Sequence, residues 1–142
     1  MYPAAEILLV DDNPADVGLV CEALAASGRG SHVNVVLDGE EAVAFLRRSG
    51  KYAQAEYPHL IILDLNLPRR DGRAVLAEVK ADPSLRKIPV VVFTTSRSAR
   101  DIRCSYELGA NCYVSKPGNL RDFFVAVQSL EQFWFGVVSL PG

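Results

Sequence analysis

The chain has 142 residues, 49% of them hydrophobic and 23% charged, with a formal net charge of −2. That size and composition suit one ordinary globular domain, and the slight acidity leaves no electrostatic footprint for nucleic acid. The apolar runs are strand-sized, so no membrane span is expected; the opening MYPAAEILLVDD has no basic region before its apolar run, which argues against a signal peptide and for the cytoplasm.

EILLV (6–10) is a short, continuous apolar run and predicts a strand buried on both faces. Asn13, Pro14 and Asp16 then read as a helix start: an N-cap, proline at the first helical position and an acid in the first turn. Val17, Val20, Cys21 and Leu24 recur at helical spacing, and SGRG (27–30) ends that helix. HVNVVL (32–37) predicts a second strand, Asp38-Gly39 a turn, and Ala42, Phe45 and Leu46 one face of a second helix. A polar connection over 49–58 leads to a third strand, HLIILDL (59–65). Val75, Leu76 and Val79 mark a third helix over 73–81, stopped by Asp82-Pro83. IPVVVFTT (88–95) predicts the fourth strand, and 99–108 a short helix capped by Gly109. NCYVS (111–115) predicts the fifth strand, and a final helix runs from Leu120 to about Trp134.

Five strands alternating with five helices predict an α/β fold: a doubly wound, five-stranded parallel sheet with helices on both faces, in a single domain over 1–142. Ligands of such folds sit outside the carboxyl ends of the strands. The polar residues falling there are Asp11-Asp12, then Asp64 and Asn66, then Thr94-Thr95, then Ser115-Lys116-Pro117. Clustered carboxylates repel one another and raise each other's pKa values. A hard divalent cation such as Mg²⁺ relieves that repulsion, takes few carboxylates and keeps positions open for phosphate oxygens. Asp12 and Asp64 read as direct ligands, Asp11 as a direct or water-mediated one, and the backbone carbonyl of Asn66 as a further candidate. A carboxylate is also a competent nucleophile toward phosphorus. Lys116 would add positive charge, and the Thr94 hydroxyl a hydrogen bond to a phosphoryl oxygen. Singly, each residue has an ordinary reading as a helix-start acid, a strand-end cap, a strand threonine or a surface lysine. Their convergence on one sheet edge is what favours chemistry.

Assembled in this way, Asp11-Asp12, Asp64 in LDLNLPRRDG, Thr94 in VVVFTTS and Lys116 in YVSKP resemble the receiver domain of two-component response regulators, essentially end to end. The resemblance implies a flavodoxin-like strand order 2-1-3-4-5 and a phosphoacceptor rather than an enzyme acting on other substrates. It implies that Asp64 takes a phosphoryl group from a sensor histidine kinase, with self-catalysed transfer and autodephosphorylation. Asp11 and Asp12 would help bind Mg²⁺ or Mn²⁺, and Thr94 and Lys116 would bind the phosphoryl group. Tyr113 would be the aromatic switch residue moving with Thr94; by itself it reads as a half-buried strand aromatic. The Lys116-Pro117 pair looks like one whose peptide bond is usually cis in the family. Thr95 stands where receivers usually carry a very small residue, so Asn66 and Thr95 are expected to tune access to the phosphoryl group.

DDNPAD, the long connection before PHLIILDLNLPRRDG, SYELGANCYVSKP and the ending FWFGVVSLPG resemble the small stand-alone regulators paired with bacterial phytochrome kinases. A phytochrome partner is therefore implied, with no DNA-binding module and output by protein–protein contact. The apolar tail at about 133–142 either folds back on the domain or, with the face from the fourth strand to the last helix, builds a homodimer interface, for which Phe133, Trp134 and Phe135 are the candidates.

Two other functions fit less well. A phosphatase of the haloacid dehalogenase type would want its nucleophile after the first strand. A flavin carrier would want a Ser/Thr/Gly-rich phosphate loop there, where this chain has DDNPAD. The three cysteines, Cys21, Cys104 and Cys112, lie far apart and read as reduced, small apolar residues. His32 and His59 are isolated and suggest no metal site.

Overall fold

Strand register is what builds the functional end of this protein. The computed structural model describes residues 4–141. The elements are β1 (Glu6–Val10), α1 (Pro14–Ala26), β2 (His32–Val36), α2 (Gly39–Leu46), a 3-10 turn (Gly50–Tyr52), β3 (Leu60–Leu63), α3 (Gly72–Ala81), β4 (Val90–Thr94), α4 (Ala99–Glu107), β5 (Cys112–Ser115), α5 (Leu120–Gln132) and a π-helical turn (Phe133–Val137). The strands form one parallel sheet in the order β2-β1-β3-β4-β5, as expected.

The alternation of side chains along each strand divides the core in two. Ile7 and Leu9 of β1, with Leu60 and Ile62 of β3, pack beneath Val20 and Leu24 of α1 and Phe123 and Val127 of α5. Leu8 and Val10, with Ile61 and Leu63, face Phe45 and Leu46 of α2 and Val75, Leu76 and Val79 of α3. Helix α4 lies against β5.

The helix ends follow the local chemistry. The Asn13 side chain accepts from the backbone N–H groups of Ala15 and Asp16, as an N-cap should. Asp38, read from sequence as a simple turn residue, is the N-cap of α2 and accepts from the Glu41 N–H at 2.8 Å. Asp82 closes α3, and Gly109, at φ 105°, follows α4 in the left-handed region. The final helix is regular only to Gln132, after which it widens into the π turn.

Among the described residues no helix is long and apolar enough to cross a membrane. All three cysteines are free, and burial pushes the thiols of Cys21 and Cys112 up.

Candidate functional site

In the parallel register Val10 lies opposite Leu63, and Leu63 opposite Val92. The next residues along are Asp11 and Asp64, so both leave the sheet at the same level. The Asp64 N–H extends the ladder by donating to the Val10 carbonyl at 2.9 Å. On the other side Thr94 pairs with Ser115, and the Lys116 N–H donates to the Thr94 carbonyl at 2.7 Å. All four residues of β3 are buried. At about 1.5–3 kcal/mol for each large aliphatic side chain, that burial outweighs the cost of holding a carboxylate at the strand's end.

Asp11, Asp64, Thr94 and Lys116 are all buried there. The Lys116 ammonium donates to Asp11 Oδ2 at 2.8 Å, Asp16 Oδ2 at 2.8 Å and Asp64 Oδ2 at 2.9 Å. Burial alone would lower the lysine's pKa, but the bonds to Asp11, Asp16 and Asp64 outweigh it and hold Lys116 above the ordinary lysine value. Asp11 is shifted up, first by burial and also by the nearby Asp64 charge, against the opposing pull of Lys116 and of the Asn13 N–H, which donates to Asp11 Oδ1 at 2.9 Å. One cation thus faces three carboxylates, and the cluster stays net negative.

The other expected residues spread around this centre. Asp12 is exposed and makes no hydrogen bond or ion pair among the described residues. Asn66 is exposed, with its N–H 3.4 Å from Asp64 Oδ1, and Thr95 is exposed beside Thr94. The Thr94 hydroxyl is fully buried without a hydrogen-bond partner among the described residues. Tyr113 is half-buried; its hydroxyl donates to the Ser96 carbonyl at 2.9 Å, and part of its ring packs on the core under α2 and α3. There is no cis peptide bond among the described residues, so Lys116–Pro117 is trans where the family resemblance pointed to cis.

Of the tail candidates, Trp134 and Phe135 pack on the protein's own core beside α1 and α5, whereas Phe133 is exposed.

The donor set suits a hard cation: oxygen atoms only, net negative, with an orphaned hydroxyl alongside. Among the described residues, however, no three His, Cys, Asp or Glu side chains form a ready-made cage. Lys116 bridges Asp11 and Asp64, and Asp12 stays outside.

Sequence reasoning missed two participants. Asp16 reads locally as a helix-start acid, yet its carboxylate accepts from Lys116 at 2.8 Å. Ser96 carries no local signal, yet its carbonyl accepts from both Tyr113 and Ser115, and its hydroxyl donates to Asp101 at 2.6 Å. Arg73 Nη2 donates to the same Asp101 at 2.6 Å, tying the start of α3 to α4. Ser98 in the same loop is the N-cap of α4, its side chain accepting from the Asp101 N–H at 3.2 Å.

Residues 7–128 match the response regulator receiver domain. Over 139 residues the chain is 50% identical to the response regulator Rcp1 of Synechocystis sp. (strain ATCC 27184 / PCC 6803 / Kazusa), covering 98% of this chain and 95% of that protein. The crystal structure of the phosphorylated cyanobacterial phytochrome response regulator RcpA superposes with a TM-score of 0.96 at 51% identity, over 99% of this chain and 100% of that one. The Mn²⁺-bound form of Rcp1 gives 0.93 at 49% identity, over 97% and 99%. With the sheet order, the convergent aspartates and these similarities in agreement, the chain belongs to the response regulator receiver domain family and is closely related to Rcp1 and RcpA.

Proposed function

We propose that the protein is a phosphoacceptor switch in which Asp64 accepts a phosphoryl group from a sensor histidine kinase of the phytochrome type. The observation that carries the reading is the buried Lys116 ammonium bonded to Asp64, at the same sheet edge as a buried Thr94 hydroxyl that lacks a partner among the described residues. A carboxylate oxygen of Asp64 attacks phosphorus; the phosphorus–nitrogen bond of the donor phosphohistidine breaks, and the imidazole leaves with the electron pair. Lys116 and the Thr94 hydroxyl then bind phosphoryl oxygens. Water later attacks the same phosphorus, releasing inorganic phosphate and restoring the carboxylate.

Asp12, Asp64 and the Asn66 carbonyl would hold Mg²⁺ or Mn²⁺, with Asp11 helping directly or through water. When bound, the cation offsets the negative charge shared by carboxylates and phosphoryl group. Asn66 and Thr95, both at the exposed rim, would set how freely water enters. Tyr113 would carry the state outward through its bond to Ser96.

The 50% identity with Rcp1, together with RcpA being a phytochrome response regulator, supports the pairing with a phytochrome-type kinase, and the cytoplasm is the compartment in this reading. In this reading 1–142 is one receiver domain and output is contact with other proteins, including a second copy. Neither nucleic acid nor membrane is a partner; the net charge of −2 supports the first part.

The test is incubation with acetyl phosphate or a phosphorylated phytochrome kinase, with and without Mg²⁺, on wild type and Asp64→Asn. Mg²⁺-dependent incorporation that the substitution abolishes is expected. Label retained in Asp64→Asn would place the acceptor elsewhere.

A further inference from the structure

We infer that Asp16 is a positioning residue that tethers Lys116 at the mouth of the site. The inference rests on the phosphoacceptor reading and deepens it.

A lysine ammonium has three N–H donors and no acceptor. In Lys116 each of the three is directed at a different carboxylate. Two of those acceptors, Asp11 and Asp64, are the groups assigned to cation and phosphoryl binding, so both change their bonding when the site is loaded. Asp16 has no such second task. Its backbone is held by the Asn13 cap on the first turn of α1, and its carboxylate is 21% exposed against 1% for Asp11. Water can solvate its outer edge while its inner oxygen keeps the lysine. Asp16 is therefore the one partner of Lys116 that can stay in place throughout the exchange.

The alternative for the side chain is unfavourable. With Asp11 and Asp64 as its only partners, the flexible lysine would lose its fixed acceptors when a cation and a phosphoryl group claim both carboxylates. Ordering a long side chain also costs rotamer entropy, which a third fixed acceptor offsets in advance.

The test uses full-length wild type, Asp16→Asn, Asp16→Glu, and Asp16→Asn in a Lys116→Gln background. Phosphoryl uptake from acetyl phosphate is measured at saturating Mg²⁺, and thermal melts confirm that each variant is folded. In parallel, NMR of the lysine ammonium groups is recorded on metal-free protein. Asp16→Asn should slow uptake about tenfold, the scale of one hydrogen bond to a charged group. Asp16→Glu should restore most of it, and the asparagine should change nothing further once Lys116 is gone. Wild type should show an exchange-protected Lys116 ammonium signal that Asp16→Asn loses. Wild-type uptake in Asp16→Asn, or an equal loss with and without Lys116, would overturn the tether. Wild type that takes up no phosphoryl group would overturn the phosphoacceptor reading instead, a result separable from the ammonium signal.

Discussion

Lys116 Nζ donates to Asp64 Oδ2 at 2.9 Å, with both side chains almost wholly out of solvent. Removing the lysine leaves Asp11 and Asp64 facing each other without a cation. Breaking a buried ion pair from one side costs about 3–5 kcal/mol. Asp16 can turn to water and a carboxylate can take up a proton, so Lys116→Ala should fall near the low end, about 3 kcal/mol in urea denaturation. Asp64→Asn should cost less, because Lys116 keeps Asp11 and Asp16. The reverse ranking would contradict this account of the cluster.

Gly72 connects the phosphoacceptor segment to α3. A Cβ there would lie 2.2 Å from the Asp64 carbonyl oxygen and 2.7 Å from the Leu65 Cα, and both are backbone atoms that cannot swing aside. The Gly72 N–H also donates to the Leu65 carbonyl at 2.9 Å. Gly72→Ala should destabilise the protein by about 2 kcal/mol, within the range for overpacking. Since the displaced segment carries Asp64, phosphoryl uptake should fall with it. Equilibrium unfolding and acetyl phosphate labelling on one preparation test both halves.

Asp101 sets a pH limit on the link between α3 and α4. The Ser96 hydroxyl, and then Arg73, hold its carboxyl below the ordinary value of 3.8. A depressed folded-state value stabilises the fold above the unfolded value, and that contribution is lost as pH falls through the folded one. The stability difference between wild type and Asp101→Asn should therefore stay level from neutrality down to the ordinary aspartate range and shrink below it. A series of thermal melts across acid pH measures this; a difference that already shrinks near neutrality would point to another group.

The tail supports a sharper dimer test than deletion. Trp134 and Phe135 pack on the domain itself, so truncation would uncover its core. Phe133 and Val137 are 47% and 66% exposed. Under the proposed homodimer, Phe133→Asp with Val137→Asp should shift the protein toward monomer in sedimentation velocity while Trp134 fluorescence stays native. An unchanged dimer would remove this edge from the interface.

The order of the elements was readable because β1, β3 and β4 are unbroken apolar runs separated by helical periodicity. Boundaries moved by a residue or two, as at β3, which ends at Leu63 rather than continuing through Leu65. Asp11, Asp64, Thr94 and Lys116 were legible because each directly follows or ends a strand, and the sheet brings strand ends together. Asp16 was hidden by its own plausibility: an acid in a first helical turn needs no further explanation, and nothing local points to a lysine 100 residues away. Ser96 was hidden because its main contribution is a carbonyl, which every residue possesses. The mixed fate of the tail was also out of reach, since three adjacent aromatics carry no sign of which will find a core.

The ladder between β1 and β3 works as a ruler for the chemistry beyond it. A strand advances about 3.3 Å per residue. Sliding β3 by a single position would carry Asp64 out of reach of the ammonium that now sits 2.9 Å from it. At the start of β3 the His59 ring accepts from the Glu6 N–H of β1 at 2.9 Å, and beyond it the fit of Leu60, Ile61, Ile62 and Leu63 between their neighbours holds the register. A wholly buried apolar strand thereby sets the alignment of the charged cluster beyond it, and altered packing in β3 should be felt first as a misplaced carboxylate.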